Sequence, residues 1–253
     1  MNKAIKILLI IFLVLLIAFL VCGIVFFANK NLREIKLNNK FEADVSEVNK
    51  IYLDLGSIDV ELKESDKDKI LVEYYSNTDK DIEITNKENC ITIEKDANYD
   101  VNKFVFFNYK KVVIYVPKTF IGEYELKVQS GDIKSEIDLS NNLANITTSS
   151  GDISLNIIGE ANVTSSSGDI KINKISKKAN ITASSGDINI NTLDIKDSSS
   201  ITASSGDIEI KNNQSNCYVE AETRSGDTKV NKSDRKSDIV LKIKTSSGDI
   251  NVN

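Results

Sequence analysis

Hydrophobic and polar residues alternate with period two on both sides of a recurring Ser-Gly-Asp. The triplet occurs seven times, with glycines at 131, 151, 168, 186, 206, 226 and 248, at intervals of 20, 17, 18, 20, 20 and 22 residues. Five residues before the glycine stand Leu126, Ile146, Val163, Ile181, Ile201, Ala221 and Ile243. Two after it stand Ile133, Ile153, Ile170, Ile188, Ile208, Thr228 and Ile250. The intervening positions are mostly Asn, Thr, Ser, Lys, Glu and Asp. This alternation predicts half-buried strands. The inward positions are odd before the glycine and even after it, so the corner changes the parity of the chain while both strands keep facing one core. Glycine supplies the positive φ of such a corner, and Asp bonds to nearby backbone. The predicted unit is a short strand, a tight corner, a short strand and a variable loop. One unit cannot bury its own apolar face, and a period near 20 is the signature of stacked repeats. Seven rungs at the ~4.7–4.9 Å strand spacing would span roughly 34 Å. The predicted fold class is all-β: a β-solenoid or β-helix-like stack of about seven rungs over residues 121–253.

Upstream, residues 41–120 predict a more irregular β N-terminal part that caps the stack. Residues 51–62 alternate on both sides of Gly56 and resemble a degenerate first turn. Residues 69–75, 81–85 and 90–94 are strand candidates, 96–103 a polar loop, and 104–117 a strand pair. At the other end, residues 239–245 predict the last edge strand. Its outward Lys242 and Lys244 would discourage edge-to-edge aggregation.

Residues 7–28 are 22 consecutive residues without a charge. As a helix they would measure about 33 Å, enough for a hydrocarbon core of about 30 Å. Phe26 and Phe27 precede Ala28 where a cleavage site would need small residues, and Val21 spoils a lipoprotein reading of Cys22. The expectation is an uncleaved transmembrane anchor at 7–28, a short tail at 1–6 and a basic linker at 29–40. Two lysines precede the run and four basic residues follow it closely. That asymmetry alone would place the repeats inside, although long domains translocate with little regard to such counts.

The chain carries a formal charge of −5. Residues 1–40 contribute six basic side chains and one Glu, or +5, which leaves −5 − 5 = −10 on residues 41–253. An acidic domain argues against nucleic acid and favours cations or cationic peptides as partners. There is no histidine, the commonest general base and metal ligand. No thiol–base motif or phosphate-binding loop stands out, so no catalytic residue and no cofactor is assigned. Cys90 and Cys217 could pair, but nothing local favours that over two free thiols.

Val112-Val113-Ile114-Tyr115-Val116-Pro117, then Tyr124 to Ile133, then repeated Ser-Ser-Gly-Asp-Ile, together resemble the bacterial putative-adhesin family with β-strand repeats, also called the toastrack domain. The likeness covers roughly residues 45–253. It implies a β-helix-like extracytoplasmic domain, carried with membrane segments in envelope-stress systems of Gram-positive bacteria. It therefore places the repeats outside the membrane, with a membrane sensor or envelope component as partner.

The candidate site is the column formed by Asp132, Asp152, Asp169, Asp187, Asp207, Asp227 and Asp249. Neighbouring carboxylates about 4.8 Å apart would repel by roughly 0.9 kcal/mol even in water. Donation from corner amides and the preceding serines offsets this in one reading. A cation ladder bridging the carboxylates is the other. The functional expectation is a non-enzymatic, membrane-anchored interaction domain of the cell envelope, in envelope-stress sensing. The alternatives are a surface adhesin or structural spacer and, more weakly, a polysaccharide-active enzyme.

Overall fold

In a computed structural model, the described residues are 12, 14, 16–18, 21, 35–77, 82–96 and 109–253. Of the apolar run 7–28 only residues 12, 14, 16–18 and 21 are described, all helical, and the expected anchor as a whole lies outside the described residues. Among the described residues no helix is long and apolar enough to cross a membrane. The expected strand at 104–107 and nearly all of the expected loop at 96–103 also lie outside.

Strands dominate the remainder. In chain order they are β1 (Lys36–Asp44), β2 (Lys50–Leu55), β3 (Asp59–Ser65), β4 (Lys69–Ser76), β5 (Ile82–Lys87), β6 (Cys90–Lys95), β7 (Lys110–Pro117), β8 (Glu123–Val128) and β9 (Ile133–Ser150). They continue as β10 (Ile153–Ser167), β11 (Ile170–Ser185), β12 (Ile188–Leu193), β13 (Ser199–Ser205) and β14 (Ile208–Ile210). The last four are β15 (Tyr218–Ser225), β16 (Thr228–Val230), β17 (Val240–Ser247) and β18 (Ile250–Val252). Each rung has two legs that meet at a corner, and like legs pair in parallel, residue on equivalent residue. Ile170 stands on Ile153, Ile188 on Ile170 and Ile208 on Ile188 after the corner; before it, Ile181 stands on Val163 and Ile201 on Ile181. These aliphatic ladders form the core. Ile133, Ile146, Ile153, Val163, Ile170 and Ile188 have no exposed surface.

Three features depart from the sequence reading. First, the loop after the second leg is absent in three repeats. β9, β10 and β11 run unbroken from one corner to the next, bending at register shifts such as that between Ile158 and Glu160. Open loops join only the later legs. Second, the first turn expected at residues 51–62 is present but is a complete rung rather than a degenerate one, with β2 on β8 and β3 on β9. The seven Ser-Gly-Asp corners and the corner at Gly56 to Ile58 therefore make eight. Beyond that rung β6 and β7 still pair in parallel with β2 and β3, and only then does the pairing turn antiparallel: β5 closes on β6, β4 on β7, and β1 on β4.

Third, spatial order is not chain order at the far end. β17 pairs with β13 on one side and β15 on the other, and β18 lies between β14 and β16. The last stretch of chain thus fills a gap between the two preceding rungs. Lys242 and Lys244 do not guard an edge. They stand beside Glu220 and Glu222 across the ladder, with Lys244 Nζ 2.8 Å from Glu222. Among the described residues β15 and β16 are the edge. The inward set explains why. Leu241, Ile243, Ile250 and Val252 are almost wholly buried, as interior positions require, whereas Thr228 at the corresponding place on the end rung is exposed and Ala221 half-exposed. A polar terminal repeat keeps the end of a stack soluble.

Candidate functional site

The corner column is built by close backbone contact. A Cβ on Gly186 would lie 2.3 Å from the carbonyl oxygen of Gly168, and the residue itself has φ +135°. Both facts exclude a side chain there. Gly168, Gly206, Gly226 and Gly248 share the left-handed backbone, but Gly131 and Gly151 do not. At those two corners the stacked carbonyl alone demands glycine, at 2.2 Å from Ile58 O and 2.1 Å from Gly131 O. The φ expectation therefore holds for five of the seven corners.

The structure brings all seven predicted aspartates into one column and adds an eighth, Asp59. Each carboxylate except that of Asp227, on the end rung, accepts the main-chain N–H of the aspartate on the next rung. Asp132 N–H donates to Asp59 Oδ1 at 3.0 Å, Asp152 to Asp132 at 2.9 Å, Asp169 to Asp152 at 2.9 Å and Asp187 to Asp169 at 3.0 Å. Asp207 donates to Asp187 at 2.9 Å, Asp249 to Asp207 at 2.8 Å, and Asp227 to Asp249 at 2.8 Å. The last two links follow spatial rather than chain order. In return each Asp carbonyl accepts an amide from the preceding rung, as in Ile170 N–H to Asp187 O at 2.9 Å. A hydrogen bond to a charged group contributes about 1.5–3 kcal/mol, more than the ~0.9 kcal/mol repulsion between neighbouring charges in water. The donor is the next rung's amide, not the preceding serine. The column is a clamp between rungs. Among the described residues no group of three or more Asp, Glu or Cys side chains is placed to hold a metal ion. Cys90 and Cys217 are free thiols, and burial pushes the Cys217 thiol upward.

Outward positions form ladders of their own. Asn162 donates its amide to Asn145 at 2.8 Å and Asn180 to Asn162 at 3.0 Å. On the other leg Asn173 donates to Asn156 at 3.1 Å and Asn191 to Asn173 at 3.3 Å. This second ladder runs along a shallow trough of about 690 Å³ edged by Lys134, Lys171 and Lys211. The lysines have local partners: Lys134 meets Glu136 at 2.6 Å, Lys171 meets Asp169 at 3.4 Å and Lys211 meets Glu209 at 3.9 Å. Nearer the N-terminal side, Lys50 bridges Glu123 and Glu125 at 3.3 and 2.7 Å. Hydrogen bonds from Lys127 and Lys50 hold the Glu125 carboxyl below its ordinary range. Burial opposes ionisation of Glu61, but Lys111 and Lys63 outweigh it and hold that carboxyl low as well.

A second cavity, of about 330 Å³, opens between the turn after β7 and the bend in β9. Val116, Pro117, Phe120, Tyr124 and Ile137 supply its apolar walls, with Glu64, Lys118 and Asp138 at its polar side. Sequence reading missed it, as it missed Asp59.

An eight-cornered parallel stack clamped by Asp carboxylates defines the class of the molecule. The chain matches the family Toastrack DUF4097 over residues 48–253 and belongs to it. No protein of curated function matches it. Among solved structures it is similar to a candidate adhesin from Bacteroides fragilis, with 19% identity, a TM-score of 0.56, and coverage of 86% of this chain and 97% of that one. It is also similar to a candidate cell adhesion protein from Clostridium sporogenes, with 13% identity, a TM-score of 0.41, and coverage of 87% and 99%.

Proposed function

We propose that this chain is a non-enzymatic binding domain displayed at the bacterial cell envelope, tethered by the apolar run 7–28 and presenting its ladders to a membrane sensor or another envelope component. The observation that carries this reading is the outward chemistry of the stack. Its faces are fixed rows of amides and ion pairs, repeated rung after rung on a rigid core, and all its corner aspartates but Asp227 are committed to main-chain amides. Such a surface recognises by shape and hydrogen bonding. Envelope-stress sensing is the role we assign to that display. Adhesion to a foreign surface is the second reading, favoured by the description of the Bacteroides fragilis relative as a candidate adhesin.

A photo-crosslinking residue placed at Asn145, Asn173 or Lys242 in the chain's own membrane tests both. A discrete adduct with a component of the same envelope supports the first reading. An adduct formed only on contact with another surface supports the second. No adduct from any of the three positions contradicts a binding role.

A further inference from the structure

The cavity beside β7 is bounded by two turns held in place by short hydrogen bonds. Phe120 N–H donates to Pro117 O at 3.0 Å, Ser140 N–H to Asp138 Oδ1 at 2.8 Å, and Gly122 N–H to Asn142 Oδ1 at 2.7 Å. Tyr124 forms part of the wall, its ring edge-on to Phe120 with centroids 5.5 Å apart. The residue is 1% exposed, and its hydroxyl has no hydrogen-bond partner among the described residues. Large buried tyrosines ordinarily place their hydroxyl on a partner, whereas this residue lines the cavity. The equivalent positions on the next three rungs are Ala144, Ala161 and Ala179, so the stack itself does not call for a phenol there. Ile121, which lines the cavity, is 69% exposed.

We propose that this cavity binds a small neutral molecule, an aryl or branched aliphatic group bearing a carbonyl oxygen, with the Tyr124 hydroxyl donating to that oxygen. The walls select the apolar body: Phe120 offers an aromatic ring, and Val116, Pro117 and Ile137 offer aliphatic surface. The polar side selects against a charged head. Glu64 and Lys118 neutralise each other at 2.8 Å, and Asp138 is occupied by Ser140 N–H. Burial raises the Tyr124 hydroxyl well above its ordinary range, so it stays protonated and can only donate to an incoming carbonyl. The volume lies at the small end of ligand sites. This inference does not rest on the envelope reading, since it concerns one cavity wherever the domain resides.

The test uses the full chain held in amphipol with isoleucine methyl groups labelled. It is titrated separately with N-methylbenzamide and with 1,2-dihexanoylglycerol, an uncharged lipid whose esters carry the same carbonyl. The expected result is a saturable shift of the Ile121 and Ile137 methyl signals, while those of Ile170 and Ile208 in the distant rungs stay fixed. A response to the amide alone marks a free small molecule as the source of ligand. A response to the diacylglycerol marks a lipid ester. Tyr124→Phe should weaken the binding about tenfold with unchanged Ile170 and Ile208 signals, which report an intact stack. No saturable shift with either probe overturns the proposal, as does equal affinity in Tyr124→Phe.

Discussion

Replacing Gly186 by valine attacks the stack where two rungs touch most closely. Two costs add. A β-branched residue at φ +135° carries strain of about 1–3 kcal/mol. The new Cβ would also stand 2.3 Å from Gly168 O and 2.7 Å from Gly168 C, so the rungs must part locally. Overpacking of this kind costs about 1–3 kcal/mol. The sum is about 2–6 kcal/mol, and at its middle it lowers the melting temperature of a domain this size by roughly 8–16 °C. Asn189→Ala, three residues on and facing outward, should fall within about 0.5 kcal/mol of the parent. Gly151→Ala separates the two costs, because Gly151 is crowded by Gly131 O at 2.1 Å but lies outside the left-handed region. It should be milder than Gly186→Ala by the strain alone. Calorimetry on the full chain in detergent reads all four. Equal melting temperatures for Gly186→Val and Asn189→Ala would refute the corner geometry.

The rung order can be read with cysteine pairs. Neighbouring rungs place equivalent Cα atoms ~4.8 Å apart and next-nearest rungs ~9.6 Å apart, whereas a disulfide needs about 4.4–6.8 Å. Glu209→Cys with Asn251→Cys should therefore crosslink under oxidation, and Glu209→Cys with Lys229→Cys should not; the reverse outcome would restore chain order. Glu125 should make stability depend on pH in one direction. Its folded pKa lies below the ordinary value of a free glutamate, so its contribution is complete above that value and is lost as pH falls through the lower, folded one. Glu125→Gln should thus cost about 0.5–1 kcal/mol at pH 7, and the difference from the parent should vanish at low pH. Millimolar Ca²⁺ after EDTA should leave the melting temperature unchanged. A cation site at 100 times its Kd would instead add about 2.7 kcal/mol, and abolition of such a rise by Asp187→Asn with Asp207→Asn would make the column a cation site.

The repeat was legible because its physics is local. Period-two alternation fixes which side chains face inward, and a glycine at constant phase fixes the corner. Asp59 was hidden because Ser57 and Ile58 separate it from Gly56, which breaks the triplet while leaving the column intact. The inverted order at the end did leave a trace. Ala221, Thr223 and Thr228 are the least apolar inward set in the chain, and Leu241, Ile243, Ile250 and Val252 are among the most apolar. Read as a comparison of rungs, that contrast names the end rung. The Asn ladders also left one, since Asn145, Asn162 and Asn180 recur in phase with the corners. The Tyr124 cavity left none. Its walls come from β7 and from the bend of β9, and only tertiary stacking brings them together.

The central functional claim is that the stack is displayed outside the membrane that holds it. Protease added to intact protoplasts of a bacterium carrying the chain tests this directly. The account predicts removal of the segment beyond about residue 40 from sealed cells, with an N-terminal fragment left in the membrane. Full protection of the domain until the cells are lysed would contradict it.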